Sequence, residues 1–125
     1  MKITTFNPLI VTKHQEEIAA LFEELGFARR HHGHAVNAAG QDVSGIRMKD
    51  ASGFYVDVAE NPDIPKDLTA IRINVADFDE AYEMLIARGF TNPKGTIDTR
   101  SNKNAMLFAP SGFAIHLCHH IKDHD

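Results

Sequence analysis

Apolar residues recur at helical spacing in two stretches of the chain. In His14 to Leu25, the residues Ile18, Leu21, Phe22 and Leu25 fall at i, i+3, i+4 and i+7, a single stripe on an α-helix. In Asp77 to Arg88, Phe78, Ala81, Tyr82 and Leu85 repeat the stripe behind an acidic first turn that complements the helix dipole. Gly26 and Gly89 follow these helices, where a left-handed cap is wanted. A β-rich run precedes each helix, Ile3 to Thr12 and Leu68 to Ala76. Three more strands follow each: Phe27 to Ala35, Val43 to Lys49 and Phe54 to Ala59, then Phe90 to Ile97, Asn104 to Ala109 and Phe113 to Cys118. Turn clusters at Asn37-Ala38-Ala39-Gly40, Lys49 to Gly53 and Ala109 to Gly112 punctuate the strands.

Each half therefore reads β-α-β-β-β, and the halves share short matches. Leu25-Gly26-Phe27 aligns with Arg88-Gly89-Phe90, and Ser52-Gly53-Phe54 with Ser111-Gly112-Phe113, in the same order and at nearly the same interval. The pattern predicts one α+β domain over residues 1–125, with a first module at about 1–60, a stiff two-proline linker at 61–67, a second module at about 68–120 and a polar tail at 121–125.

Alternation along the last strand of each module predicts Phe54, Val56 and Val58, and Phe113, Ile115 and Leu117, on the apolar face. The opposite face carries Tyr55 and Asp57 in one module, His116 and Cys118 in the other. Asp57 and His116 stand at the same offset from Gly53 and Gly112. A carboxylate flanked by two valines faces water or needs a partner. By the same alternation Arg72 lies opposite Ile71 and Ile73, where it either clamps an anionic ligand through paired hydrogen bonds or neutralises Asp57. Arg47, Met48, Met106 and Phe108 are wall candidates.

Composition narrows the function classes. With 125 residues, 13 Lys+Arg, 17 Asp+Glu and a formal charge of -4, the chain has a length suited to one core and no basic field for a phosphate backbone, so nucleic acid is not an expected partner. No run approaches the ~18 apolar residues of a membrane span, and the N-terminal apolar run is too short for a signal peptide, so the expected location is the cytoplasm. The one cysteine excludes an intramolecular disulfide. Of eight histidines, His31, His32 and His34 cluster on one strand and read as a solvated edge; His119, His120 and His124 fall in a polar C-terminal stretch. Cys118 has His116 and His120 on its own face, an arrangement that can lower a thiol pKa. No phosphate loop, nucleophile elbow or HExxH motif is present.

Two β-α-β-β-β modules, Leu25-Gly26-Phe27, the run Ile73-Asn74-Val75-Ala76-Asp77-Phe78-Asp79-Glu80-Ala81 and the final Pro110-Ser111-Gly112-Phe113-Ala114-Ile115-His116-Leu117 resemble the vicinal oxygen chelate superfamily of glyoxalases, bleomycin-resistance proteins and extradiol dioxygenases. The resemblance implies curved mixed sheets around a cleft, and a homodimer. It also implies metal ligands on the first and last strands of each module, which the superfamily's spacing places at Phe6, Asp57, Ala70 and His116. Asp57 and His116 alone carry donors for a divalent ion. The expectation is therefore a small-molecule-binding protein of the glyoxalase and bleomycin-resistance type that lacks the full metal site and carries no cofactor. Its ligand would be contacted by Arg72, Asp57, His116, Tyr55, Phe6 and Met106. The alternative is a metal-dependent glyoxalase-like lyase or dioxygenase that uses Asp57 and His116 as residual ligands.

Overall fold

In the computed structural model, which describes residues 1–36 and 42–120 and only the backbone of 34–36, 42 and 43, the elements run in the expected order. They are β1 (Ile3–Thr12), α1 (Gln15–Glu24), β2 (Ala28–Val36), β3 (Asp42–Lys49), β4 (Tyr55–Glu60), β5 (Leu68–Val75), α2 (Phe78–Ala87), β6 (Ile97–Asp98), β7 (Asn102–Phe108) and β8 (Ala114–His120). The fold is α+β with mixed strand pairing: β1 with β4 and β5 with β8 are parallel, and the outer pairs are antiparallel. The turn at 37–40, the His34 side chain and the tail at 121–125 lie outside the described residues.

The chain divides into two units, Asn7–Ala70 and Met1–Phe6 with Ile71–Asp125. Relative to the expected modules, the first six residues go with the second half. Their ties explain it: the Ala76 amide donates to Lys2 O at 3.0 Å and the Thr4 hydroxyl to Asn74 O at 3.2 Å.

In the Asn7–Ala70 unit the strand order is β2-β3-β4-β1. Val56 and Val58 of β4 and Ile46 and Met48 of β3 face α1, where they bury Ala19 and meet Ile18 and Phe22. Met48 is thus core and not wall. The buried stripe of α1 is rotated from the expected one: Leu21 and Leu25 are exposed, and Gln15 is buried with Ala19. Gln15 anchors this face through polar bonds that an apolar pattern does not reveal. Its amide donates to Ser44 O at 2.9 Å and Val58 O at 3.0 Å, and its Oε1 accepts from the Ser44 hydroxyl at 2.9 Å. Satisfying a buried amide fully makes its burial tolerable.

In the other unit β5, β8, β7 and β6 follow in that order. Here the expected stripe holds: Phe78, Ala81 and Leu85 of α2 are buried against Val75, Ala105, Leu107, Ile115 and Leu117, with Tyr82 packed at the edge. The strand expected at Phe90 to Ile97 shrinks to Ile97–Asp98, and Thr91 makes an isolated bridge to Phe108. Pro93 and Gly95 between them interrupt the ladder. Strand β8 instead runs two residues past Cys118, which brings His119 and His120 into the sheet. Phe54 and Phe113, expected on the apolar faces, are exposed because β4 and β8 begin one residue later. Both helices end as expected. Gly26 has φ +106° and Gly89 φ +94°, and the Phe27 and Phe90 amides return to Phe22 O and Leu85 O at 2.9 and 3.1 Å.

Candidate functional site

Partners in a strand ladder share a face, so the pairing register shows which side chains stand together. On the face of the Asn7–Ala70 unit turned away from α1, Asp57 of β4 has Leu9 of β1 on one side and Arg47 of β3 on the other. Asp57 is buried between two buried valines, and its charge is met at once. Arg47 Nη1 donates to Asp57 Oδ2 at 3.0 Å, and Asn7 Nδ2 donates to the same oxygen at 2.7 Å. The ion pair is well shielded, with the Arg47 and Asp57 side chains 12% and 11% exposed. The guanidinium also lies over the Tyr55 ring, 4.2 Å from its centroid, with Lys49 Nζ at 4.9 Å. Asn7 gives its second amide hydrogen bond to Pro8 O at 2.8 Å, and Asn7 Oδ1 is buried without a hydrogen-bond partner.

The equivalent face of the other unit is arranged differently. Arg72 of β5, His116 of β8 and Met106 of β7 form one cross-strand row, and Asn74, Cys118 and Asn104 form the next. His116 Nε2 meets Asn104 Oδ1 at 3.2 Å. A carbonyl oxygen only accepts, so Nε2 carries a proton. In the neutral ring Nδ1, 3.4 Å from Cys118 Sγ, then accepts from the thiol. Arg72 Nη2 meets His120 Nε2 at 2.7 Å. A guanidinium only donates, which fixes His120 Nε2 as the acceptor and places the ring proton on Nδ1. The His120 amide in turn donates to Asn74 Oδ1 at 3.2 Å. This face links a cation, imidazoles, amides and a thiol through side-chain hydrogen bonds.

Of the residues expected to contact a ligand, Arg72, His116 and Met106 are thus brought side by side in one unit, and Asp57 and Tyr55 lie around Arg47 in the other. Phe6 is elsewhere. It precedes Asn7 on β1, so its side chain alternates to the other face, and it is 66% exposed. Register shows which residue holds the place assigned to it. Asp57 pairs with Leu9 and its equivalent His116 pairs with Arg72, so two residues earlier Asn7 is the counterpart of Ala70. A slip of one residue moves every side chain to the opposite face. Asn7, Arg47 and His120 are the functional candidates that the sequence pattern understated.

The residues present do not fit the divalent metal that the resemblance implies. Ala70 has no donor, Asp57 already holds a guanidinium, and Asn7 turns its NH2 group, not its oxygen, toward the carboxylate. Among the described residues no three His, Cys, Asp or Glu side chains are grouped to hold an ion.

No family model matches the sequence, and no curated protein matches it. Solved structures do match the fold. Glyoxalase I from Zea mays is similar at TM-score 0.68 and 18% identity, over 98% of this chain and 45% of that one, so the chain spans about half the length of that enzyme. A Streptomyces coelicolor methylmalonyl-CoA epimerase in complex with 2-nitronate-propionyl-CoA is similar at TM-score 0.66 and 14% identity, over 99% of both chains. A glyoxalase/bleomycin resistance protein/dioxygenase superfamily member from Vibrio splendidus is similar at TM-score 0.61 and 14% identity, over 94% of this chain and 99% of that one. The chain has the vicinal oxygen chelate fold. No helix among the described residues is long and apolar enough to cross a membrane.

Proposed function

We propose that the protein binds a small organic ligand with an anionic group, and does so without the complete metal centre of the superfamily it resembles. The observation that carries this reading is the row Arg72, His116 and Met106 across three neighbouring strands. It gathers a permanent cation suited to a carboxylate, an imidazole beside it, and a soft, adaptable apolar side chain for the remainder of the ligand. The similarity to an epimerase that takes a CoA ester supports small organic acids and their thioesters as the first class to screen. A homodimer in the cytoplasm belongs to the same reading, and exposed Phe6, Phe54 and Phe113 supply apolar surface for such an assembly. Light scattering on purified protein would show a dimer mass if it holds, and a monomer mass would remove it.

The test is calorimetric titration with a panel of short carboxylic acids and acyl-CoA thioesters. A hydrogen bond to a charged group contributes about 1.5–3 kcal/mol, so Arg72→Ala should weaken a bound anion by at least about tenfold. Met106→Ala should weaken ligands with an apolar tail and leave the shortest acids unaffected. A ligand whose affinity ignores both substitutions is bound elsewhere, and the reading would then fail.

A further inference from the structure

The disagreement between Asp57 and a metal-ligand role carries a more specific inference. A carboxylate sits where the resemblance puts a ligand, and directly across from it on β3 stands Arg47. The guanidinium meets Asp57 Oδ2 at 3.0 Å and lies over the Tyr55 ring at 4.2 Å, and the Arg47 side chain is 12% exposed. Beside it Asn7 presents its amide hydrogens to the same Asp57 oxygen, and leaves its own Oδ1 buried and unbonded. A buried amide oxygen without a donor is unfavourable by about 1–3 kcal/mol, and an Asn whose oxygen faced a cation would not incur that loss. Asn7 thus has the donor atom of a cation site and the orientation of a site that has none.

We infer that Arg47 takes the place of a divalent cation at Asp57, as a fixed internal positive charge that excludes the ion. This deepens the metal-free part of the proposed function and rests on it. A guanidinium and a divalent ion brought to one shielded carboxylate repel each other, so the ion pair opposes uptake of the ion. With Arg47 gone, Asp57 loses its guanidinium, and a turn of the Asn7 amide, which now donates to Oδ2, presents a second oxygen. Two oxygens from side chains with water filling the remaining positions suit a hard ion such as Mn2+ or Mg2+ more than a soft one.

The probe is Mn2+ itself, followed by electron paramagnetic resonance of the free ion and by calorimetry, on the full chain with no organic ligand added. The native protein should show no saturable uptake. Arg47→Met should bind Mn2+ at least tenfold more tightly than the native protein, and Arg47→Lys, which keeps a charge there, should not. Adding Asp57→Asn to Arg47→Met should abolish the gain. If Arg47→Met does not fold, Arg47→Gln removes the charge, keeps a donor for Asp57, and is held to the same expectation. A folded, uncharged variant with no gain in Mn2+ affinity overturns the inference and leaves the metal-free reading intact. Saturable Mn2+ binding by the native protein that Asp57→Asn removes overturns both. Neither result depends on whether Arg72 binds an organic anion.

Discussion

Asp57 and His116 stand at equivalent places in two modules built alike, yet their cross-strand neighbours differ in kind. Across from Asp57 is Arg47; across from His116 is Met106. On the parallel side the order is reversed, with apolar Leu9 beside Asp57 and Arg72 beside His116. Each face therefore has one guanidinium next to its central polar residue, on opposite flanks. In the first unit it meets a carboxylate and the charge is closed internally. In the second it donates to the ring nitrogen Nε2 of His120. The two modules thus share a strand frame but differ on their polar faces, one holding an ion pair and the other a guanidinium beside an imidazole.

On the faces that meet the helices the strands, unlike the helices, keep matching apolar positions, and this supplies the first way to test the comparison. Met48 and Leu107 occupy equivalent ladder positions, and both are fully buried. Met48→Ala and Leu107→Ala should each lower unfolding free energy by about 3–4 kcal/mol, read as similar shifts in urea midpoint at unchanged slope. A marked inequality would show that one module carries the stability and the other merely docks, and the symmetric frame would be the wrong picture.

The polar faces should respond unequally. Asp57→Ala strands a shielded guanidinium and should cost about 3 kcal/mol, toward the low end for a buried pair because both side chains keep some exposure. His116→Ala removes one neutral hydrogen bond to Asn104 and one to Cys118, and should cost about 1–2 kcal/mol. Equal losses, measured by the same denaturation, would erase the distinction drawn between the two faces.

How much of this was legible in the sequence follows from what alternation can and cannot encode. Period-two and period-3.6 patterns place side chains on faces, and they located both helices, nearly every strand and the polar sides of β4, β5 and β8. They say nothing about which residue of the neighbouring strand lies opposite. Arg47 was visible as a wall residue, but its pairing with Asp57 is a fact of register between β3 and β4. Asn7 was passed over because spacing counted through the α1 helix carries an error of a residue, and on a strand that is the whole difference between faces. The expected strand stops at Cys118, since no apolar residue marks the last two positions of β8; the bonds of the His120 amide to Asn74 and of its ring to Arg72 hold it in the sheet.

The smallest expected effect separates the two helix starts. Asp77 precedes α2 with extended backbone, and its Oδ1 accepts from the Glu80 amide at 3.1 Å, a side-chain cap on one of the amides that the first turn leaves unbonded. His14 holds the corresponding place before α1 and makes no side-chain cap; there Thr12 Oγ1 takes the His14 amide at 2.9 Å, and buried Gln15 ties the helix start to β3 and β4. Asp77→Ala should therefore cost about 1 kcal/mol, while His14→Ala should stay within about 0.5 kcal/mol of the parent. Gln15→Ala, which removes three hydrogen bonds of a buried side chain, should exceed both. If His14→Ala instead matched Asp77→Ala in thermal unfolding, α1 would depend on a local cap after all, and tertiary anchoring by Gln15 would not explain how that helix begins.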